Sequence, residues 1–238
     1  MAQSNDIAVF DDIERLIIVA AHPDDLETLC GGTVALLVQR GVKVFSVNCT
    51  LGDIGTQDAA TTRPAVATAR LMEAEEAARI LGIEQVASLG HHDGELVADL
   101  ELRAQIARLY RSTQADTLFT FDPYWAGQIH PDHRAAGQAA VDAYMPSKMP
   151  LYRPEQLREP GAGLGCLRRV FLFSTAREPD IAIDVASVYG VKLAACMAHR
   201  SQFPNGLESL EWMHRMDEEN GQPAGFNRAE TFKRMDVW

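Results

Sequence analysis

The chain has 238 residues, 47% hydrophobic and 23% charged, which suits one sizeable globular domain and is short for two. A formal net charge of −11 works against nucleic acid or an anionic membrane surface as partner, because clustered lysine and arginine hold those. No apolar run reaches the roughly 20 residues of a membrane span, so a small-molecule partner is expected.

Residues 1–12, MAQSNDIAVFDD, lack the basic start and apolar core of a signal peptide. The four cysteines, Cys30, Cys49, Cys166 and Cys196, show no C-x-x-C spacing and are expected to stay reduced in the cytoplasm.

The first element is Leu16–Ala21, aliphatic without alternation, as in a strand of a parallel sheet covered on both faces. His22, Asp24 and Asp25 fall at its carboxyl end, where open α/β sheets bind their ligands. Gly31-Gly32 is expected to let the backbone turn tightly and pack close as the next helix gets under way. That helix, Leu29–Arg40, stops at Gly41. A second strand, Val42–Cys49, runs into TLGDIGT (Thr50–Thr56), which carries Asp53 at another strand end.

Arg63–Gly82 reads as one helix, opened near Pro64, with Arg70 and Glu73 among its charges. Gln85–Leu89 is a short strand leading to GHHDGEL (Gly90–Leu96). His91 and His92 are adjacent on that loop and are expected to hydrogen-bond or face solvent, since neighbouring loop residues rarely converge on one metal. A helix over Asp99–Ser112 and a strand over Asp116–Phe121 complete a βαβα alternation, the pattern of a doubly wound sheet.

That strand ends in Asp122-Pro123, and the chain then reaches His130-Pro131-Asp132-His133. Pro131 suits the first position of a helix running to about Tyr144, which makes His130 its cap and His133 a first-turn residue. A helix start disfavours protonating His130 and a nearby Asp132 favours it, so the sequence leaves its charge open. Met145–Gly165 is rich in proline and glycine and reads as a loop, either a lid over the pocket or an ordinary surface excursion. Arg169–Ser174 and Ile181–Val185 read as strands around Pro179-Asp180, and Ala186–Ala198 as a helix. The segment Leu207–Trp238 mixes Trp212, Met213, Met216, Phe226 and Phe232 with charges; these side chains suit a homo-oligomer contact as readily as the core.

Two strand ends thus carry His-Pro-Asp. Hydrolytic zinc takes about three protein ligands and keeps a position open for water. His22, Asp25 and His133 would supply the three. Asp24 and His130 remain, one beside each ligand, as a carboxylate base and an imidazole for the rest of the chemistry. Cys30 lies close to the first cluster, but a small buried cysteine is the commoner fate of such a residue.

At these residues the chain resembles the LmbE-like (PIG-L) family of zinc N-deacetylases, whose members include de-N-acetylases of GlcNAc-phosphatidylinositol, mycothiol and bacillithiol biosynthesis. The family pattern AHPDD-x(5)-GG stands at Ala21–Asp25 with Gly31-Gly32, and HPDH at His130–His133. The resemblance implies His22, Asp25 and His133 as metal ligands and Asp24 as general base. His130 would stabilise the oxyanion or protonate the leaving amine, and Asp132 would support the ligands from behind. Arg70, in an R-x-x-E, and Asp93, in Asp-Gly, match positions that reach substrate; Asp53 does so with a shorter side chain than the usual Glu. Lys192 with AHRSQ (Ala198–Gln202), and Glu230 with Phe232, extend the match along the chain. Where relatives read G-Y-G before HPDH, this chain has Trp125-Ala126-Gly127-Gln128-Ile129, which alters the pocket rim.

The expectation is a single three-layer α/β Rossmann-like domain over residues 1–238, with a mostly parallel sheet. It would remove the acetyl group from an N-acetylglucosamine-type small molecule using zinc or another divalent ion such as Fe2+. An amidase acting on a thiol conjugate would use the same metal and base. A non-catalytic nucleotide-binding domain fits poorly, because HPDDLETLCGG stands where a G-x-G-x-x-G phosphate loop would be.

Overall fold

The computed structural model describes residues 7–173 and 179–237. Ser174, expected to end the fifth strand, lies outside the described residues, as do residues 1–6 of the amino-terminal stretch. Seven strands form one sheet in the order β3-β2-β1-β4-β5-β7-β6. β1 (Arg15–Ala20), β2 (Lys43–Thr50), β3 (Gln85–His91), β4 (Thr117–Phe121) and β5 (Arg169–Phe173) run parallel. β6 (Ile181–Asp184) and β7 (Ala229–Met235) close one side antiparallel. β1 and β4 are buried along nearly their whole length, which is why their sequences read as unbroken apolar runs.

On one face α1 (Asp25–Gln39), α2 (Arg63–Leu81) and α6 (Tyr189–Ala198) pack together. α3 (Leu100–Thr113), α4 (Pro131–Asp142) and α5 (Tyr144–Lys148) cover the other, which gives the expected three layers. α7 (Glu211–Gly221) lies against β7 and β6. The chain leaves β1 toward β2 and β3, then returns to place β4 on the other side of β1. That reversal opens a crevice at the carboxyl ends of β1 and β4.

The expected tight turn at Gly31-Gly32 is corrected, and the expected close packing is found. Gly31 and Gly32 do not turn the chain into a helix; they lie inside α1, which starts at Asp25. Gly32 is required for close approach, because a Cβ there would stand 2.7 Å from Val185 Cβ. The Gly32 and Thr33 amides donate to Glu230 at 2.8 and 2.6 Å. Glu230 in turn meets Lys192 Nζ at 2.8 Å, and Lys192 reaches Asp217 at 2.7 Å, all three side chains being wholly buried. This triad ties α6, α7 and β7 to α1.

Of the two readings left open for segment 145–165, a lid or an ordinary surface excursion, its contacts fit the second. It holds α5 and a 3-10 turn at Pro154–Arg158, and it is pinned by the fully buried Arg111 near the carboxyl end of α3. Arg111 donates to the carbonyls of Ser147, Met149 and Arg153 at 2.9, 2.8 and 3.1 Å, and to Gln156 Oε1 at 3.0 Å. Because α3 and α4 link strand ends across the sheet, this segment lies at the amino edge, opposite the crevice.

Removing one partner from a buried ionic cluster leaves the others uncompensated and costs about 3–5 kcal/mol. Lys192→Met should therefore lose about that much stability in urea denaturation at pH 7. A loss under about 1 kcal/mol would show that the triad does not hold the carboxyl-terminal segment in place.

Candidate metal centre

At the end of β1 the chain turns through Ala21-His22-Pro23 to Asp24, whose φ of 114° lies where side chains other than glycine seldom go and where functional strain concentrates. This turn brings Asp25 in as the first residue of α1. Asp25 Oδ2 accepts from the amides of Ala21 and His22 at 3.1 and 2.7 Å. Its Oδ1 is 3.3 Å from His133 Nε2, and its Oδ2 is 3.5 Å from His22 Nδ1. Each of these two separations, to a different oxygen of Asp25, matches the edge of about 3.3–3.6 Å in a tetrahedron with Zn–N and Zn–O bonds of about 2.0–2.2 Å.

His22 Nε2 lies 3.1 Å from Asp93 Oδ1 and 3.2 Å from Asp132 Oδ2. Carboxylates only accept, so Nε2 carries a proton and Nδ1 is the nitrogen facing Asp25. Burial opposes a charge on this ring, yet hydrogen bonds with Asp132, Asp25 and Asp93 outweigh it and push its pKa up to about 12. The metal-free pocket thus holds its carboxylates against one extra proton, a position a cation can take over.

Ring nitrogens of His22, His130 and His133 also lie within 4.8 Å of one another, as do donor atoms of His22, Asp93 and Asp132. The second group surrounds the protonated Nε2 and is better read as support for His22 than as a separate ion site.

Asp24 Oδ1 is 3.2 Å from Arg70 Nη2. Burial raises its pKa, Arg70 pulls it down, Asp25 pushes it back up, and it settles at about 6. Arg70 is only 3% exposed, so it points inward and not into solvent. It donates to Gly52 O at 3.0 Å and to Pro23 O, and lies 4.0 Å from Asp93 Oδ2. Gly52, with a φ of 62°, leaves the space that a Cβ would take from the guanidinium. With Nη1 and Nη2 held by backbone carbonyls and by Asp24, Arg70 orients that carboxylate.

His130 caps α4 as expected. The Asp132 amide donates to its Nδ1 at 3.3 Å, which leaves the ring proton on Nε2. Burial, His133 and His22 lower its pKa against the opposing pull of Asp132, so the structure favours the neutral ring. His130 stacks on His133 at 4.4 Å, and His133 on Phe121 at 4.0 Å. In the altered stretch before them, Gln128 Oε1 accepts the His130 amide at 3.3 Å, while Tyr124 and Ile129 are exposed.

The remaining expected residues divide. Asp132 is wholly buried and accepts from the amides of Gly94 and Leu96 at 2.6 and 3.2 Å, which fixes it behind His22. Asp93, expected on substrate, holds His22 as well. Asp53, also expected on substrate, takes Arg63 Nε at 2.9 Å, His92 Nδ1 at 2.6 Å and the Asp93 amide at 2.9 Å. Its side chain is thereby fully engaged in holding the Asp93 loop, and Arg63 was not foreseen. His91 bonds Gln105 at 2.7 Å, so neither loop histidine reaches the centre. Cys30 is buried in α1, and burial keeps its thiol protonated.

AHRSQ acts as a stitch. His199 is buried 3.4 Å from Glu27 of α1. Ser201 binds Glu73 of α2 through its amide and hydroxyl at 2.8 and 2.7 Å, and Gln202 donates to Gly55 O at 2.9 Å. The three contacts join the elements that carry Asp24 and Arg70.

The family described as PIG-L, GlcNAc-PI de-N-acetylase, matches residues 17–144. A diacetylchitobiose deacetylase of Thermococcus kodakarensis is 31% identical over 203 residues, 84% of this chain and 74% of that protein. The chain belongs to the PIG-L family. A probable N-acetyl-alpha-D-glucosaminyl L-malate deacetylase 2 of Bacillus cereus is 32% identical over 82% of this chain and 86% of its own length. The solved N,N'-diacetylchitobiose deacetylase of Pyrococcus horikoshii superposes with a TM-score of 0.89 at 30% identity, covering 95% of this chain and 85% of that one. The PIG-L match contains every residue of the centre, whereas the Lys192 triad and AHRSQ lie beyond it.

Asp53 tests the support of this centre. Burial works against its charge, but Arg63, the Asp93 amide and His92 hold its pKa near 2, below an ordinary 3.8. A depressed carboxylate stabilises the fold above its unfolded pKa, and that contribution is lost as pH falls from about 4 toward 2. After discounting for the 40% exposed Arg63, Asp53→Asn should cost about 1 kcal/mol at pH 7. The difference from wild type should close near pH 2 in denaturation experiments; a gap independent of pH would contradict this origin.

Proposed function

We propose that this PIG-L protein removes the acetyl group from the amine of an N-acetylglucosamine-type small molecule. One observation carries the reading: half-buried Asp24, whose pKa desolvation raises to about 6, adjoins Asp25, which faces His22 and His133, and the neutral His130 stacks on His133. The named relatives, which act on diacetylchitobiose or N-acetylglucosaminyl malate, support the substrate class. His22 Nδ1, Asp25 and His133 Nε2 are the proposed ligands, with zinc as the ion and Fe2+ as the alternative.

The ion would polarise the acetamide carbonyl and acidify a water. Asp24, mostly ionised at pH 7, takes the proton of the attacking water, and Arg70 keeps its carboxylate aimed. His130 donates from Nε2 to the oxygen on which negative charge develops. A proton must then reach the departing nitrogen, because an amide anion is too poor a leaving group. Protonated Asp24, with a pKa near that of the medium, can return the one it took. His22 keeps its Nε2 proton throughout, held by Asp93 and Asp132.

A cytoplasmic location is part of the proposal. All four cysteines are unpaired, which suits a reducing compartment. Among the described residues no helix is long and apolar enough to cross a membrane.

The test is release of free amine from N-acetylated sugars by metal-loaded protein. General acid–base catalysis contributes roughly 10²–10⁴-fold, so Asp24→Asn and His130→Ala should each lower kcat by about that factor with metal content unchanged. Recovery of full activity by Asp24→Asn in excess zinc would make Asp24 a metal anchor and not the base.

A further inference from the structure

We infer that Gln128 is a positioning residue for the reaction: it holds the backbone of His130 so that the Nε2 proton of that ring meets the oxygen on which charge develops. This rests on the deacetylase reading and adds a residue from the stretch where the chain departs from G-Y-G.

That stretch is a closed turn. The Gln128 amide donates to Trp125 O at 3.0 Å, and the indole lies against Gly127 so closely that a Cβ there would collide with its ring. From the first turn of α4, Arg134 Nη1 reaches back to Gln128 O at 2.7 Å. Gln128 is only 7% exposed, so its side chain is turned inward, where Oε1 accepts the His130 amide at 3.3 Å. Between these two residues stands Ile129, 85% exposed, whose side chain has little packing with which to steer the chain.

His130 depends on such an anchor. Its Nδ1 is taken by the Asp132 amide, which leaves Nε2 as the nitrogen that can donate to substrate. Pro131 keeps His130 extended, with ψ at 120°, as a residue before proline must be. Both restraints act from the helix side. On the other side, the peptide that enters His130 is fixed through its N–H by Gln128 Oε1, and Gln128 is itself clamped by Arg134 and by the turn. Without that acceptor the entering peptide can swing about Ile129 and carry the ring with it. A donor to a developing oxyanion must lie about 2.7–3.1 Å from it, and a misplacement of about 1 Å can cost about 10²-fold in rate.

The test is a double-mutant cycle on zinc-loaded protein acting on an N-acetylated sugar. Gln128→Met keeps an unbranched side chain of similar length and removes the acceptor. It should lower kcat at least about tenfold, with KM within about twofold and zinc content unchanged. Arg134→Ala, at an exposed position, should lower kcat by a smaller factor. In His130→Ala neither substitution should lower kcat further, because residues that act through one group are not additive. An unchanged kcat in Gln128→Met, a change confined to KM, or an equal fall in both backgrounds overturns the proposal, since substrate contact or general loosening acts without His130. Hydrogen exchange of the His130 amide, followed by NMR, reads the same contact without turnover: exchange at least about tenfold faster in Gln128→Met supports it, and equal exchange overturns it. Absence of amine release by wild type refutes the deacetylase reading, and the exchange rate still decides whether Gln128 holds His130.

Discussion

Five carboxylates, Asp24, Asp25, Asp53, Asp93 and Asp132, crowd the carboxyl edge of the sheet, and the site's geometry follows from how their charge is balanced. A buried carboxylate without a partner is costly, so each has its own. Arg63 and His92 hold Asp53, two amides and His22 hold Asp132, His22 also holds Asp93, and Arg70 holds Asp24. Asp25 is left facing two imidazoles, a place for a divalent cation. The same balance separates the carboxylates chemically: Asp53 sits near a pKa of 2 and Asp24 near 6. Groups pushed apart in this way divide into structural and proton-transferring roles.

The residues of the centre come from the first part of the chain, but their placement depends on the last. Glu230 takes two amides of α1, the helix that begins with Asp25, and Lys192 and Asp217 compensate its charge. AHRSQ adds contacts to Glu27, Glu73 and Gly55, fastening α1, α2 and the β2 loop against one another. This preorganisation holds Asp24 in its unusual backbone conformation and keeps Arg70 wedged behind it.

The parallel half of the sheet was legible because fully buried strands are written as apolar runs, and the site because both clusters end such runs. His130 as helix cap was legible from the proline after it. What failed to show depends on tertiary partners. The inward direction of Arg70 is set by Gly52 and Asp24, not by helix periodicity. Asp53 is engaged by Arg63 and His92, and Gly32 makes way for Val185 and Glu230, far along the chain. Segment 145–165 read equally as a lid or a surface excursion because its order comes from Arg111, whose five donors no local pattern reveals.

The central claim is that one ion sits between His22 Nδ1, Asp25 and His133 Nε2, with Asp93 and Asp132 keeping the proton on His22 Nε2. Crystals of zinc-loaded protein, measured at the zinc absorption edge, test it directly. The account predicts one anomalous peak within about 2.0–2.2 Å of those three donors. A peak bonded instead to His22 Nε2 between Asp93 and Asp132 would contradict it.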